Sequence, residues 1–514
     1  MNALSSRSMR LWHSRLERSE LRDFQAAKFR KYLATRVLPF SAFYRQRFAA
    51  AGVSAAGIRS LEDLTKIPFT SKTDLLNTPD NPQRIRDFVL IPDEHVLKRQ
   101  PGTIMGALRR GPAGQKALLE REFRPLLLTS TTGRSSEPVP FLFTEHDLDI
   151  LKESGRRIME VGDSAATNRH VNLFPFAPHL AFWQTHYAGL GRGAFCLSTG
   201  GGKVMGTDGN VALIERTKPE VIIGMPTFIY HVMTQAVEQD KHWPQIRKVV
   251  LGGEKVPPGL RRKFRALCAE LGAGKVDVLA CYGFTEGKMA WMECPPPMGE
   301  ETTGYHVSPD FAIIEVIDPD TLKPVPDGQG GEIVFTALDS RGTVVLRYRT
   351  GDRIDGGLTH EACPHCGRTC PRLVGNISRV SEFRSVETAK LKGTLVDFNA
   401  LEHALDDLEG IGSWQIELCK VNNDPFECDA VVIHAVTDRA EGRASLERAV
   451  MDRVYRAAEI HPNKVEWHSE EEMRDRQGVG RLLKEEKIVD NRPKAGRENA
   501  TPDKVPERST HPVS

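Results

Sequence analysis

The sequence predicts an α/β protein in two parts: a large, multi-layered N-terminal domain that carries a β-rich subdomain, and a small α+β C-terminal domain. Three observations predict this. The chain has 514 residues, more than one hydrophobic core comfortably serves, so two or more domains are expected. Between residues 126 and 337 short apolar runs alternate with amphipathic stretches, as in layered strands and helices. After Arg379 a fresh helix–strand–strand–helix pattern begins, about 110 residues long and of ordinary domain size. The predicted boundaries are 1–378, 379–490 and a tail, 491–514, whose mixed Pro, charged and small polar residues predict disorder.

The elements follow in order. Residues 15–51 read as helix, with Phe24, Phe29, Leu33 and Val37 three to five apart, and Pro39 must break or restart it. Thr70 or Ser71 is placed to cap a helix through Asp74 and Leu75. Residues 126–128, 221–223, 249–251 and 276–279 read as buried strands. Residues 312–317 and 332–335 read as a hairpin-rich β segment, with turns at Asp318-Pro-Asp-Thr and Asp327-Gly328. In the last part, helices are expected near 398–408 and 443–460, and strands near 414–421 and 430–435.

Composition narrows the function classes. Apolar residues make up 40% and charged residues 27% of the chain, with 70 basic against 68 acidic side chains and a net charge of +2. That balance is ordinary for a globular protein and offers no dense basic surface, so nucleic acid is not an expected partner. There is no apolar run of about 18 residues, and charges interrupt the N-terminal MNALSSRSMRLWHSRLERSE, so neither a membrane span nor a signal peptide is expected. The predicted location is cytoplasmic. Nine cysteines in such a chain read as thiols or metal ligands rather than a disulfide framework.

Three stretches carry chemistry. Thr129-Ser-Thr-Thr-Gly-Arg-Ser-Ser-Glu-Pro138 follows a strand, and its hydroxyls and turn amides can wrap phosphate oxygens. Ala280-Cys-Tyr-Gly-Phe-Thr-Glu286 offers at a strand end a ring to stack on a base and a carboxylate for a hard cation. In Leu346-Arg-Tyr-Arg-Thr-Gly-Asp352 one carboxylate can accept both hydroxyls of a ribose. Singly, each also reads as a plain surface turn.

In this order and spacing the three stretches resemble the adenylate-forming (acyl-CoA synthetase) superfamily, with Tyr282 to Glu286 and Tyr348 to Asp352 matching its motifs closely. Leu38-Pro-Phe-Ser-Ala-Phe-Tyr-Arg45, Ile67-Pro-Phe-Thr-Ser-Lys72, Gly253-Glu254, Ile317-Asp-Pro-Asp-Thr321 and Cys366-Gly-Arg-Thr369 resemble the phenylacetate–CoA ligase branch. The resemblance spans residues 30–490 and implies a large adenylate-forming domain with a small mobile one. Two departures stand out. Ser130 runs straight into Thr131 where the family has a Gly, with three extra residues before Pro138, and Ser378-Arg-Val-Ser-Glu382 only loosely matches the hinge motif.

The resemblance implies ATP, magnesium and coenzyme A as cofactors and a small-molecule carboxylic acid as substrate, activated to an acyl-adenylate with release of pyrophosphate. It assigns Thr131, Thr132 and Gly133 to the phosphates, and Gly253, Glu254, Tyr282, Gly283 and Thr285 to the nucleotide. Asp352 falls to the ribose, Arg379 beside the nucleotide, Glu286 to magnesium and Lys484 to catalysis, with Lys487 at a second basic position. Residues 172–183 and 224–226 would line the acyl pocket, where Phe174, Phe176, Phe182 and Trp183 suit an apolar or aromatic acid. Two other readings stand beside this one: an enzyme that loads a carrier-protein thiol, and a degenerate nucleotide-binding partner protein. A homodimer is compatible with all three.

Cys363-Pro-His-Cys366 has the spacing of half a zinc site. The resemblance supplies the other half, Cys294 and His306, with His365 and Cys370 as rivals. A closed set of four protein ligands implies a structural zinc.

Overall fold

The continuous Val- and Ile-rich runs are the centre of a sheet, as expected for strands covered on both faces. A computed structural model describes residues 12, 17–131, 138–379, 390–391, 394–395, 398–420, 429–437, 442–458, 460–482 and 485–492. The predicted tail lies almost wholly outside these. The chain divides into two units, Met1–Glu387 with Gly478–Glu485, and Thr388–Gln477 with Glu486–Ser514. Among the described residues no helix is long and apolar enough to cross a membrane.

In chain order the strands of the large unit are β1 (Pro125–Ser130), β2 (Pro140–Thr144), β3 (His170–Asn172), β4 (Cys196–Ser198), β5 (Val221–Gly224), β6 (Lys248–Gly252), β7 (Asp277–Phe284), β8 (Met289–Glu293), β9 (Tyr305–His306), β10 (Ala312–Ile317), β11 (Gly331–Ala337), β12 (Tyr348–Ile354), β13 (Leu358–Thr359), β14 (Arg372–Leu373) and β15 (Ile377–Arg379). Nine form one sheet, in the order β4-β3-β5-β6-β7-β8-β9-β14-β13. Its β4-to-β7 half is parallel and its other half antiparallel. Helices Leu180–Arg192, Gly202–Thr217, Pro226–Glu238 and Pro258–Glu270 connect the parallel strands. Strand order reverses between β3 and β5, so the loops after them open a crevice of the kind where α/β sheets bind ligands. Strands β10, β11, β12 and β15 form a separate antiparallel sheet.

The helical opening breaks later than Pro39. Helix Arg18–Tyr32 passes through a π turn, Leu33–Val37, and Pro39 enters the next short turn, where its missing N–H costs nothing. The break falls at Ser41, which caps Ala42–Ala50 by accepting from the Tyr44 amide. Of the two candidate caps, Ser71 serves helix Lys72–Leu75. Thr70 instead lies along β12, its amide donating to the Arg347 carbonyl (3.0 Å) and its carbonyl accepting from the Arg349 amide (2.8 Å).

Two strand expectations change. β1 is a strand, but Leu126 and Leu128 are each 52% exposed, because β1 pairs only with β2 and stays outside the large sheet. β7 does not end at Leu279. It runs on through Tyr282 and Gly283, held by antiparallel pairing of residues 281–284 with β8. A Cβ on Gly283 would lie 2.6 Å from the Ala290 Cβ, so only glycine fits that crossing.

The small unit holds β16 (Lys390–Leu391), β17 (Thr394–Leu395), β18 (Trp414–Lys420), β19 (Asp429–Val436), β20 (Lys464–His468) and β21 (Ile488–Asp490), with helices Phe398–Asp406, Arg443–Ala458 and Glu470–Gln477. Its four-stranded sheet runs β20-β19-β18-β21. The sequence pattern found β18, β19 and the first two helices; β16, β17, β20, β21 and helix Glu470–Gln477 are additions.

Candidate active site

Two motifs far apart in sequence meet where β7 and β12 approach. The Tyr282 hydroxyl, on β7, donates to Asp352 Oδ2 on β12 at 2.7 Å, and the Tyr348 hydroxyl, on β12, donates to Glu286 Oε1 just past β7 at 2.9 Å. Each motif's phenol thus holds the other motif's carboxylate. Both carboxylates are buried, and charge-assisted bonds of this kind are stronger than neutral ones.

Neighbouring backbone fixes the pairs. Arg347 has φ +42, an uncommon conformation for a non-glycine. It is held there by Glu315 (3.0 Å), by the Ile67 carbonyl and by the Phe69 ring, 4.0 Å away. The Tyr348 that follows is therefore pinned between β11 and the Thr70 segment. Burial pushes the Glu315 carboxyl up, against the opposing pull of Arg347. Thr350 Oγ1 accepts from the Asp352 amide at 3.0 Å, and Gly351 takes φ +73.

Beyond Glu286 the turn Thr285–Gly287 leads into Lys288, also at positive φ. Its ammonium reaches Asp147 Oδ2 at 2.9 Å. Asp147 also accepts from the amides of Thr144 (3.0 Å), Arg341 (2.9 Å) and Gly342 (2.7 Å). Burial acts to raise the Asp147 carboxyl, but Lys288 and the amides outweigh it and hold it below the usual range. Burial lowers Lys288 as well, more than Asp147 restores. The carboxylate is the well-satisfied partner and the ammonium the strained one. Sequence reasoning missed Lys288 and Asp147, since nothing local to Lys288 marks a partner 141 positions away.

On the crevice side, Gly253 has φ +83 and follows β6. Glu254 Oε2 accepts from the Thr227 amide (3.0 Å) and hydroxyl (2.8 Å), tying this loop to the start of helix Pro226–Glu238. Asn172 closes the loop after β3, accepting from the Phe174 amide at 3.1 Å. Phe174 and Phe182 are buried in the core, whereas Phe176 is 66% exposed and stands edge-on to Phe182 at 5.1 Å.

At the expected phosphate loop, Thr131 Oγ1 accepts from the Val139 amide at 2.9 Å and closes the loop's base. The Ser130 amide donates to the Pro178 carbonyl, bringing that base beside the segment after β3. Thr132, Gly133 and Lys484, with the loosely matched Ser381 and Glu382, lie outside the described residues. Arg379 is described in its backbone alone, paired with Asp352 across β12 and β15.

Apart from this site, the ligand atoms of Cys294, His306, Cys363 and Cys366 all lie within 4.8 Å of one another. Cys294 and Cys363 sulfurs are 3.6 Å apart, and Cys366 Sγ is 3.2 Å from His306 Nε2. Ligands about 2.3 Å and 2.05 Å from a tetrahedral ion would be roughly 3.5–3.8 Å apart, so the set fits zinc. His306 Nδ1 faces the Met292 carbonyl at 3.3 Å, which turns Nε2 to the sulfurs. Hydrogen bonding to Cys294 holds Cys363 low and brings Cys366 down to about 7, while Cys294 is held high by Cys363. The rivals stand apart: His365 pairs with Glu300, and burial pushes the Cys370 thiol up to about 12. Glu293 is not a ligand. It grips Arg261 (2.9 Å at both oxygens), the Ala280 amide (2.6 Å) and Thr302 (2.6 Å), and so anchors Cys294.

Residues 155–338 match a family model described as AMP-binding enzyme. The chain is 28% identical to a phenylacetate-coenzyme A ligase of Thermus thermophilus over 389 residues, covering 74% of this chain and 75% of that one. It is 28% identical over 315 residues to a phenylacetate-coenzyme A ligase of Pseudomonas putida, covering 60% and 61%. A solved 2-hydroxyisobutyryl-CoA ligase in its postadenylation state has the same fold, with TM-score 0.70 and 19% identity over 96% of this chain and 94% of that one. The chain is thus similar to adenylate-forming enzymes of the phenylacetate–CoA ligase branch, and its fold is theirs.

Proposed function

We propose that this chain is an AMP-forming acid–thiol ligase that activates a carboxylic acid with ATP and transfers the acyl group to coenzyme A. The crossed pairs Tyr282–Asp352 and Tyr348–Glu286 carry the reading. They hold two carboxylates at fixed positions where the end of β7 meets β12, one suited to ribose hydroxyls and one to a hard cation. The likeness to two coenzyme A ligases favours coenzyme A over a carrier-protein thiol.

In the first half-reaction the acid's carboxylate oxygen bonds to the α-phosphorus of ATP and the bond to pyrophosphate breaks. In the second, the thiol of coenzyme A gives up its proton, its sulfur bonds to the acyl carbon, and AMP leaves. Such steps rest on positioning and charge stabilisation. Asp352, steadied by Tyr282, orients the ribose; Thr131, Thr132 and Gly133 cradle the phosphates; Lys484 brings a positive charge to the reacting carboxylate. Glu286, steadied by Tyr348, is the residue suited to magnesium, which when bound neutralises phosphate charge. The exposed Phe176 ring beside Phe182 favours an apolar or aromatic acid. The Cys294, His306, Cys363 and Cys366 set takes a structural zinc, and the sequence reading places the enzyme in the cytoplasm.

Pyrophosphate exchange across aryl, aliphatic and amino acids tests the reading. Acid-dependent exchange is expected with aryl or apolar acids, and no exchange with any acid would reject it. Lys484→Ala should lower exchange on the order of 100-fold or more while ATP still binds, because the lost charge acts mainly on the transition state.

A further inference from the structure

The small unit carries a second cluster, unrelated to the nucleotide motifs. Strands β19 and β20 run parallel with His434 opposite Glu466. Successive side chains alternate faces, so His434, Glu466 and His468 share one face of the sheet. His434 Nδ1 is 2.9 Å from His468 Nε2 and 3.0 Å from Glu466 Oε2, and the latter two atoms are 3.8 Å apart. Adjacent ligands on an ion with bonds of about 2.1 Å are roughly 3.0 Å apart in an octahedron and 3.4 Å in a tetrahedron, so these spacings bracket both.

Carboxylates stand behind the rings. Glu417 Oε2 lies 2.8 Å from His434 Nε2; in the tautomer with the proton on Nε2 it accepts that N–H and leaves the Nδ1 lone pair facing the cluster. Arg476 holds the same carboxylate oxygen at 3.0 Å, and Asn491 holds its other oxygen at 2.7 Å. Glu472 Oε2 stands 3.7 Å from His468 Nδ1, on the far side of that ring. Lys464 pairs with the remaining oxygen of Glu466. The His434 side chain is 2% exposed and Glu466 33%, so the cluster is buried at one end and open to solvent at the other.

We propose that His434 Nδ1, His468 Nε2 and Glu466 form a binding site for a late first-row divalent cation of the zinc class. Two imidazoles and one carboxylate select such ions over magnesium or calcium. Three protein ligands leave room for water or an external ligand. The ion would tie the edge strand β20, and the Glu470–Gln477 helix that follows it, to the centre of the small sheet. The metal-free alternative is the reverse tautomer, with His434 Nε2 accepting from Arg476, 2.7 Å away, and Nδ1 donating to Glu466.

The test is zinc stoichiometry of the full-length protein by equilibrium dialysis and elemental analysis, for wild type, His468→Ala and Glu466→Gln. Each variant should bind one equivalent fewer than wild type, or bind it on the order of 100-fold more weakly. Cobalt titration of wild type should show, beside the thiolate charge transfer of the Cys294, His306, Cys363 and Cys366 set, a second, nitrogen- and oxygen-ligated component that both variants lose while the thiolate band stays. Should His468→Ala fail to fold, the isosteric Glu466→Gln decides alone. Equal stoichiometry and equal cobalt spectra in wild type and variant overturn the site and leave the hydrogen-bonded network.

Discussion

Tyr282 and Tyr348 each steady a carboxylate of the other's motif, so removing either hydroxyl should produce a distinct defect. A hydrogen bond to a charged group contributes about 1.5–3 kcal/mol, roughly 10- to 150-fold in the parameter it governs. Tyr348→Phe loosens Glu286 and should shift the magnesium titration of pyrophosphate exchange to higher concentration, as Glu286→Gln should more strongly. Tyr282→Phe loosens Asp352 and should raise the KM for ATP while leaving the magnesium titration near wild type. Identical profiles for the two variants would remove the basis for assigning the pairs separate roles. Both motifs were legible as motifs, because each keeps its chemistry within a few residues. Their crossing was not, since it depends on β7 extending past Leu279 and on β12 coming beside it. A second residue-level outcome concerns Asp147. Its folded pKa is depressed, so its stabilisation is present above the unfolded value of about 3.9 and is lost as pH falls through the folded value. Asp147→Asn should cost about 3–5 kcal/mol at pH 7, because it strands a buried ammonium, and the gap to wild type should narrow in acid. Lys288→Met should cost less, because three backbone amides still satisfy Asp147. Equal costs in urea unfolding would contradict this asymmetry.

At the scale of elements, β-branched runs identified β5 and β6 with little error, because a strand buried on both faces leaves a continuous apolar record. β1 has much the same local record and a different fate: Leu126 and Leu128 face outward since no second sheet covers them. Apolarity reports a strand's tendency to form, and burial depends on which neighbours arrive. β9 and β14 are two residues each and pair with one another across 66 or more positions, and β8 takes its register from the end of β7, so local periodicity could not find them. Gly283 shows how such a partner constrains a motif. An alanine there would place its Cβ 2.6 Å from the Ala290 Cβ and 2.9 Å from the Met289 carbonyl oxygen, forcing β7 and β8 apart beside Tyr282. Gly283→Ala should raise the KM for ATP at least as much as Tyr282→Phe does, with a stability loss of about 1–3 kcal/mol. An alanine variant with unchanged KM would show that strand spacing does not set the Tyr282 hydroxyl.

For the molecule as a whole, the proposed zinc sits where one sheet lends a segment to another. The chain leaves the nine-stranded sheet after His306 on β9, builds β10, β11 and β12 in the second sheet, and returns at β13 just before Cys363. The loop so closed carries Tyr348 and Asp352, so an ion joining Cys294 and His306 to Cys363 and Cys366 would clasp the base of the segment that presents half the proposed nucleotide site. The half-site Cys363-Pro-His-Cys366 was legible from its spacing; Cys294 and His306 were not legible from spacing alone, because β8 and β9 bring them in from 57 or more positions away. An ion that binds only the folded state adds about 4 kcal/mol of stability at a thousandfold excess over its Kd. Chelation should therefore lower the Tm of the large unit by several degrees, at roughly 1 °C per kcal/mol for a unit of this size. It should also raise the KM for ATP, since Asp352 lies inside the closed loop. Restoring zinc should reverse both effects, and Cys363→Ser/Cys366→Ser should show both without responding to chelator. A fall in Tm without a change in KM would mean that the clasp stabilises the fold but does not position the nucleotide site. If the double variant and wild type respond identically to chelator, the metal is not held there.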